Sequence, residues 1–174
     1  MESQPAPLGR HLLGVTEAPF EVSGREPLTA VCLELASQVR RSLDIVSRHL
    51  DPLLYDNDAF AAAVKKIALG HRHARIRLFI IDARPLITQS HRLIDAALRL
   101  PNFIEIRTPS VPYKSFNEAW LVADNLGYMH RQFSESFEAE VDFSSRRRAT
   151  ALSEKLDEMW ERGQRDPNFR RLHL

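Results

Sequence analysis

Cysteine is nearly absent from this 174-residue chain, with Cys32 the single instance. One thiol can neither cross-link the chain internally nor build a cysteine zinc cluster, and it fits a reducing compartment. Long apolar runs are missing too. The longest near-apolar stretches, around Leu78 to Ile81 and Ala59 to Val64, fall far short of the roughly 20 residues a bilayer span needs. Met1 to Leu13 carry an acid and two prolines in place of a basic start and an apolar run, so no signal peptide is read there. The expectation is a cytoplasmic protein without a membrane role. Nor does one sign of charge dominate: 24 Lys+Arg against 23 Asp+Glu leave +1, so a nucleic-acid role must rest on local clustering. Internal repeats, low-complexity blocks and interdomain linkers are also lacking.

What is present suits one globular domain. With 44% hydrophobic and 27% charged residues, folding should bury roughly 70% of the unfolded chain's surface without help from disulfides or metals. Residues 1–25 mix Pro5, Pro7, Gly9, Gly14, Pro19 and Gly24 with scattered apolar residues and read as an arm or short edge strand. The domain is expected over 26–163, followed by a tail over 164–174.

Leu28, Cys32, Leu35 and Val39 recur at helical spacing, with Arg40 and Arg41 in the expected last turn. Leu43 to Arg48 is short and β-branched, the pattern of a strand. Asn57 and Asp58 can cap a helix carrying Phe60, Val64 and Ile67, and Gly70 suits a left-handed end. The run Ile76 to Ile81 is apolar on both faces, as in a buried parallel strand. Pro85 then opens a helix carrying Leu86, Leu93, Ala97 and Leu100, stopped by Pro101, before a third strand over Phe103 to Arg107. Strand, helix, strand, helix, strand implies a parallel sheet. Three further strands follow in close succession, 120–124, 127–133 and 137–143, the first pair around a turn with Asn125 and Gly127. A final helix carries Ala149, Leu152, Leu156 and Met159 and ends at Gly163.

A parallel β-α-β-α-β half followed by an antiparallel meander and a closing helix resembles one half of the phospholipase D superfamily, over about residues 28–162. The likeness rests on Leu43-Asp44-Ile45-Val46, on Ala61-Ala62-Ala63 leading to Arg75 through Ile80, and on Phe103 to Arg107. It implies an α/β fold with a mixed sheet flanked by helices. The chain is similar to small bacterial proteins of this fold. That superfamily's active strand carries His-x-Lys-x-x-x-x-Asp, and the matching stretch here is Asn117 to Asp124. The aspartate is kept, while Asn117 and Ala119 replace the histidine and the lysine. In the family's chemistry the histidine attacks phosphorus and the lysine neutralises charge developing on the phosphoryl oxygens; neither Asn117 nor Ala119 can do this. The downstream Gly-Ser-x-Asn is likewise replaced by Arg131-Gln132-Phe133-Ser134. The resemblance therefore implies a pseudoenzyme, no cofactor and, because single halves pair about a twofold axis, a homodimer. Met159 and Trp160 offer a candidate contact, with Trp160 otherwise packing into the core.

Ligands in open α/β sheets gather beyond the carboxyl ends of parallel strands, which singles out Arg48, His49, Asp82, Arg84 and Arg107. Asp124, His130 and Arg131 come from the meander. This set can hold an anion or form an internal salt-bridge network. His91 falls on a stripe with Ile87 and Ile94 and reads as a core-flanking histidine. His71-Arg72-His73 reads as a solvated loop, with no carboxylate or cysteine nearby to complete a metal site. Lys65, Lys66, Arg72, Arg75 and Arg77 form a strip without acids, and Arg146-Arg147-Arg148 sit where the last helix begins, against its dipole. An anionic partner or the acids Glu138, Glu140 and Asp142 could satisfy the triplet. Arg170 to Leu174 read as a frayed basic tail or a docking segment. Three functions are weighed: a non-catalytic domain binding an anionic ligand, nucleic acid or protein partner; a phosphodiesterase or nuclease whose nucleophile has moved to His130 or His49, with Asp124; and an accessory domain of another enzyme.

Overall fold

The computed structural model describes residues 11–111 and 115–169. The expected readings of the tail over 170–174 and of the first ten residues of the arm lie outside them. Among the described residues eight strands form one sheet in the order β1-β7-β6-β5-β2-β3-β4-β8. They are β1 Phe20–Ser23, β2 Ser42–Ser47, β3 Arg75–Ile80, β4 Ile104–Pro109, β5 Ala119–Ala123, β6 Gly127–Arg131, β7 Glu138–Asp142 and β8 Gly163–Gln164. Only β2, β3 and β4 run parallel, and every other pairing is antiparallel. The mixed sheet inferred from the order of elements is thus the observed one.

The helices are α1 Arg25–Ser37, α2 Pro52–Tyr55, α3 Asp58–Gly70, α4 Arg84–Thr88, α5 Arg92–Arg99 and α6 Arg146–Glu161. Alternation along the strands divides them between two layers. Leu43, Ile45, Ile76, Leu78, Ile80 and Leu121 pack with Leu28, Phe60, Val64 and Leu93 from the first five helices. The intervening residues Val46, Phe79, Trp120, Val122 and Tyr128 pack beneath α6 through Ala149, Leu152, Leu156 and Met159. At the β8 edge the backbone comes very close: a Cβ on Gly163 would lie 2.9 Å from the Phe79 ring and 3.1 Å from the Thr108 carbonyl, so only glycine fits without displacement.

Local expectations fail where long-range contacts decide. The single helix expected from Pro85 to Leu100 is two, because His91 leaves the helical conformation to cap α5. Its Nδ1 accepts from the Leu93 amide at 3.1 Å and its Nε2 donates to the Leu50 carbonyl at 2.9 Å. His91 is a buried cap, not a member of the Ile87 and Ile94 stripe. The first helix stops at Ser37, so Arg40 and Arg41 lie beyond it. Gly70 closes α3 without a left-handed φ, since the chain goes straight to extended His71. Trp160 is only 8% exposed, tilted against Phe79, so it belongs to the core and not to a free dimer contact.

Candidate functional site

At the carboxyl ends of β2 and β3 the chain brings together Arg48, His49 and Asp82 with the residues that enter β5 and leave β6. Asn117 accepts a 2.7 Å hydrogen bond from the Ser134 hydroxyl, and its carbonyl accepts from the Ser134 amide at 2.6 Å. Ala119 is buried. The cations around them are already engaged. Arg48 donates to the Phe116 carbonyl at 2.5 Å. Arg131, 2% exposed, donates to the Ser134 and Ser136 carbonyls at 2.6 to 2.9 Å and to Asp51 at 3.3 Å. It holds the turn after β6 and is not presented to a ligand. Arg84 forms a forked pair with Asp82 at 2.7 and 2.8 Å, and that hydrogen bonding pulls the Asp82 carboxyl down to about 2. His49 donates Nδ1–H to the Asp82 carbonyl at 3.0 Å. The arginines and acids of the mouth are paired internally, while His49, 42% exposed, has no partner on its Nε2 among the described residues.

Two residues expected at the mouth are elsewhere. Asp124 lies at the opposite end of the sheet, in the hairpin between β5 and β6, where it and Asn125 have φ of +52° and +54°. Its carboxylate accepts from the amides of Arg40, Arg41 and Ser42 at 2.8 to 2.9 Å. It fixes the entry to β2 and performs no chemistry at the mouth. Arg107 lies under α6, donating to the Trp160 carbonyl at 2.8 Å with its guanidinium 4.7 Å from the Trp160 ring centroid. A cation on the last carbonyls of a helix satisfies orphan acceptors, so Arg107 anchors α6.

His130 faces α6. Its Nε2 meets Glu118 at 2.8 Å, and the other Glu118 oxygen accepts from Lys155 at 2.8 Å. Lys155 also lies 5.4 Å from the centroid of the Trp120 ring. Burial pushes the Glu118 carboxyl up, but hydrogen bonds from Lys155 and His130 outweigh it, and the carboxyl is held below its ordinary value. His49, Asp124 and His130 therefore sit at the mouth, at the far end and on the α6 face. Asp124, bound to the amides of Arg40 to Ser42, is not brought to His49. The roles of Glu118, Lys155 and Asp51 were not read from sequence. Glu118 was findable: Trp120 pairs with His130, so Glu118 is its diagonal neighbour on the same face.

The basic segments divide. Lys65, Lys66, Arg72 and Arg75 are exposed. Arg77 is buried beneath α6, bidentate to Asp44 at 2.8 Å and 2.7 Å from Asp157, and does not belong to a surface strip. Arg148 reaches Glu140 at 3.6 Å and lies over the Tyr128 ring, while Arg146 and Arg147 are exposed and make no ion pair among the described residues. Burial pushes the Cys32 thiol up to about 12, so it is inert. Among the described residues no group of three or more His, Cys, Asp or Glu could hold a metal, and no helix is long and apolar enough to cross a membrane.

Comparison with known proteins places this geometry. The family described as a domain of unknown function (DUF7931) matches residues 24–172. No curated protein matches the sequence. Solved structures match the fold. Nuc from Salmonella typhimurium, described as a phospholipase D family member, has a TM-score of 0.59 at 17% identity, over 86% of this chain and 99% of that one. NucT from Helicobacter pylori gives 0.62 at 12% identity, over 86% and 98%. TrmBL2, described as an archaeal chromatin protein with a novel mode of DNA binding, gives 0.62 at 18% identity and covers 92% of this chain. This chain spans only 58% of TrmBL2. The fold is phospholipase D-like.

Proposed function

The chain belongs to the DUF7931 family, and for it we propose a non-catalytic phospholipase D-like domain that binds a phosphate-bearing anionic partner. The observation that carries this reading is the state of the two positions where the fold's chemistry would reside. Asn117 is tied to Ser134, and Ala119 is a buried methyl group. Without a nucleophile there is no covalent phosphoryl intermediate, and without the lysine no cation meets charge on the transferred oxygens. The alternative of a relocated histidine is disfavoured because the His130 Nε2 is held by Glu118 and Asp124 lies at the end of the sheet away from His49. Arginines left without acidic partners, and the DNA binding described for the similarly folded TrmBL2, favour a phosphate-bearing partner over a neutral one. Pairing of two copies about a twofold axis belongs to the same proposal.

Purified protein incubated with bis-p-nitrophenyl phosphate and with linear DNA tests it. Neither should be cleaved above the buffer rate. Hydrolysis that disappears in His130→Ala would overturn the reading in favour of an enzyme.

A further inference from the structure

The end of the sheet opposite the mouth collects arginines that have no acidic partner among the described residues. Ala123 pairs with Gly127, Leu43 with Ala123, and Ser42 with Arg75, so the ends of β6, β5, β2 and β3 lie side by side there. Arg40 and Arg41 precede β2, Arg72 and Arg75 flank the turn into β3, and the Arg75 amide bonds the Arg41 carbonyl at 2.9 Å. On the other flank the Ser145 amide bonds the Leu126 carbonyl in the β5–β6 hairpin, which places the start of α6, with Arg146 and Arg147, at the same end. All six arginines are exposed. None makes an ion pair among the described residues, and Arg72 touches only the His73 ring, at 3.1 Å.

Of the acids nearby, Glu105 and Asp166 line a cleft beside Arg75, with Glu105 held by Arg107 and Arg165, and Asp124 and Asp142 are turned inward. Both Asp124 oxygens are taken by the three backbone amides of Arg40, Arg41 and Ser42, and Asp142, 6% exposed, accepts from the Ser144 amide. Asp124 fixes the backbone from which two of the arginine side chains leave, which lowers the ordering cost of a contact.

We propose that this end of the sheet, and not its mouth, binds the sugar-phosphate backbone of double-stranded nucleic acid. The inference rests on the non-catalytic, anion-binding reading above and names its surface and partner. Three strand intervals of about 4.8 Å span roughly 14 Å, a length along which a duplex presents about eight phosphate charges. Arginine forks match phosphate oxygens in pairs. A single-stranded partner would call for aromatic stacking platforms, and the end offers only two loop histidines. An anionic bilayer would call for a continuous apolar face, whereas the large exposed hydrophobics near this end, Leu69 on α3 and Leu12 and Val15 in the loop beside the β5–β6 hairpin, come from different segments.

Fluorescence anisotropy with a labelled duplex of about 20 base pairs, titrated between 50 and 200 mM KCl, tests this. Four phosphate contacts contribute a slope of about −3.6 in log affinity against log salt, a fall of about 150-fold across that range. R40Q/R41Q/R72Q/R75Q, checked for unchanged circular dichroism and melting, should lose that slope. R84Q, whose guanidinium already pairs with Asp82, should keep it, and R146Q/R147Q should flatten it in part. If R84Q flattens the slope and the quadruple variant does not, the surface is wrong while the anion-binding reading stands. Binding to phosphatidylserine vesicles and not to duplex overturns the partner. Absence of binding to both overturns the surface and the anion-binding reading together, and cleavage of the duplex overturns the non-catalytic one.

Discussion

Replacing Asp44 with alanine should be among the most destabilising single changes in this chain. Asp44 and Arg77 side chains are each 4% exposed and share two 2.8 Å hydrogen bonds between adjacent parallel strands. The Ser153 hydroxyl donates a third to Asp44 at 3.0 Å. Asp157 also holds Arg77, at 2.7 Å, but is 54% exposed and cannot replace the lost carboxylate. Removing one partner of a buried pair leaves an uncompensated charge, at a cost of about 3–5 kcal/mol. With a urea m-value of about 2 kcal/mol/M, the midpoint should fall by about 2 M. Asp157→Ala, at the half-exposed contact, should cost within about 1 kcal/mol. The double variant D44L/R77M should recover most of the loss, because apolar residues of similar size suit the buried space beside the Trp160 ring. Urea unfolding followed by tryptophan fluorescence reads all four proteins. A D44A cost below about 1 kcal/mol, or a double variant no more stable than D44A, would refute the reasoning.

Other consequences are smaller. Burial holds the His91 imidazole below its ordinary value of 6.5, and its Nδ1 must stay unprotonated to accept from Leu93; the unfolded chain therefore binds the proton first, and stability should decline as pH falls below about 6.5. His91→Ala should cost about 1–2 kcal/mol and remove that decline, and a decline unchanged in the variant would assign it elsewhere. Asp82, held at about 2 by Arg84, adds stability that is present above the ordinary carboxylate value of 3.8 and lost as pH falls toward 2. Carbon NMR titration of R84Q should show its pKa returning upward, and a carboxyl still titrating near 2 would contradict the pairing. Sedimentation should give about twice the 20.0 kDa chain mass, and a strictly monomeric species at high concentration would remove the paired-half proposal.

The sheet was legible because its signals are local and periodic. Strands rich in β-branched residues, the Asn57 cap and the Pro85 start are all decided within a few residues, and each lies where the pattern placed it within about two positions. What failed was decided across the chain. The Leu50 carbonyl, 41 residues away, draws His91 out of the helix. Asp124 kept its family position but caps the amides of Arg40 to Ser42, more than 80 residues back. At the mouth, residue types suggested an anion site or an internal salt-bridge network; Arg84 pairs with Asp82 two residues away, whereas Arg48 and Arg131 reach partners 68 and 80 residues away that spacing does not reveal. Arg77 carried a warning of its own: a charge at the centre of a strand apolar on both faces needs a buried counter-ion, and Asp44 on the next parallel strand supplies it.

The central claim, a phospholipase D-like fold that holds nucleic acid without cutting it, meets its most direct test in backbone amide NMR during titration with a short DNA duplex. Amides of residues 40–42, 72–75 and 124 should shift progressively while the DNA remains intact over a day. Shifts confined to the mouth, at residues 48, 49, 82 and 117–119, accompanied by cleavage of the duplex, would contradict it.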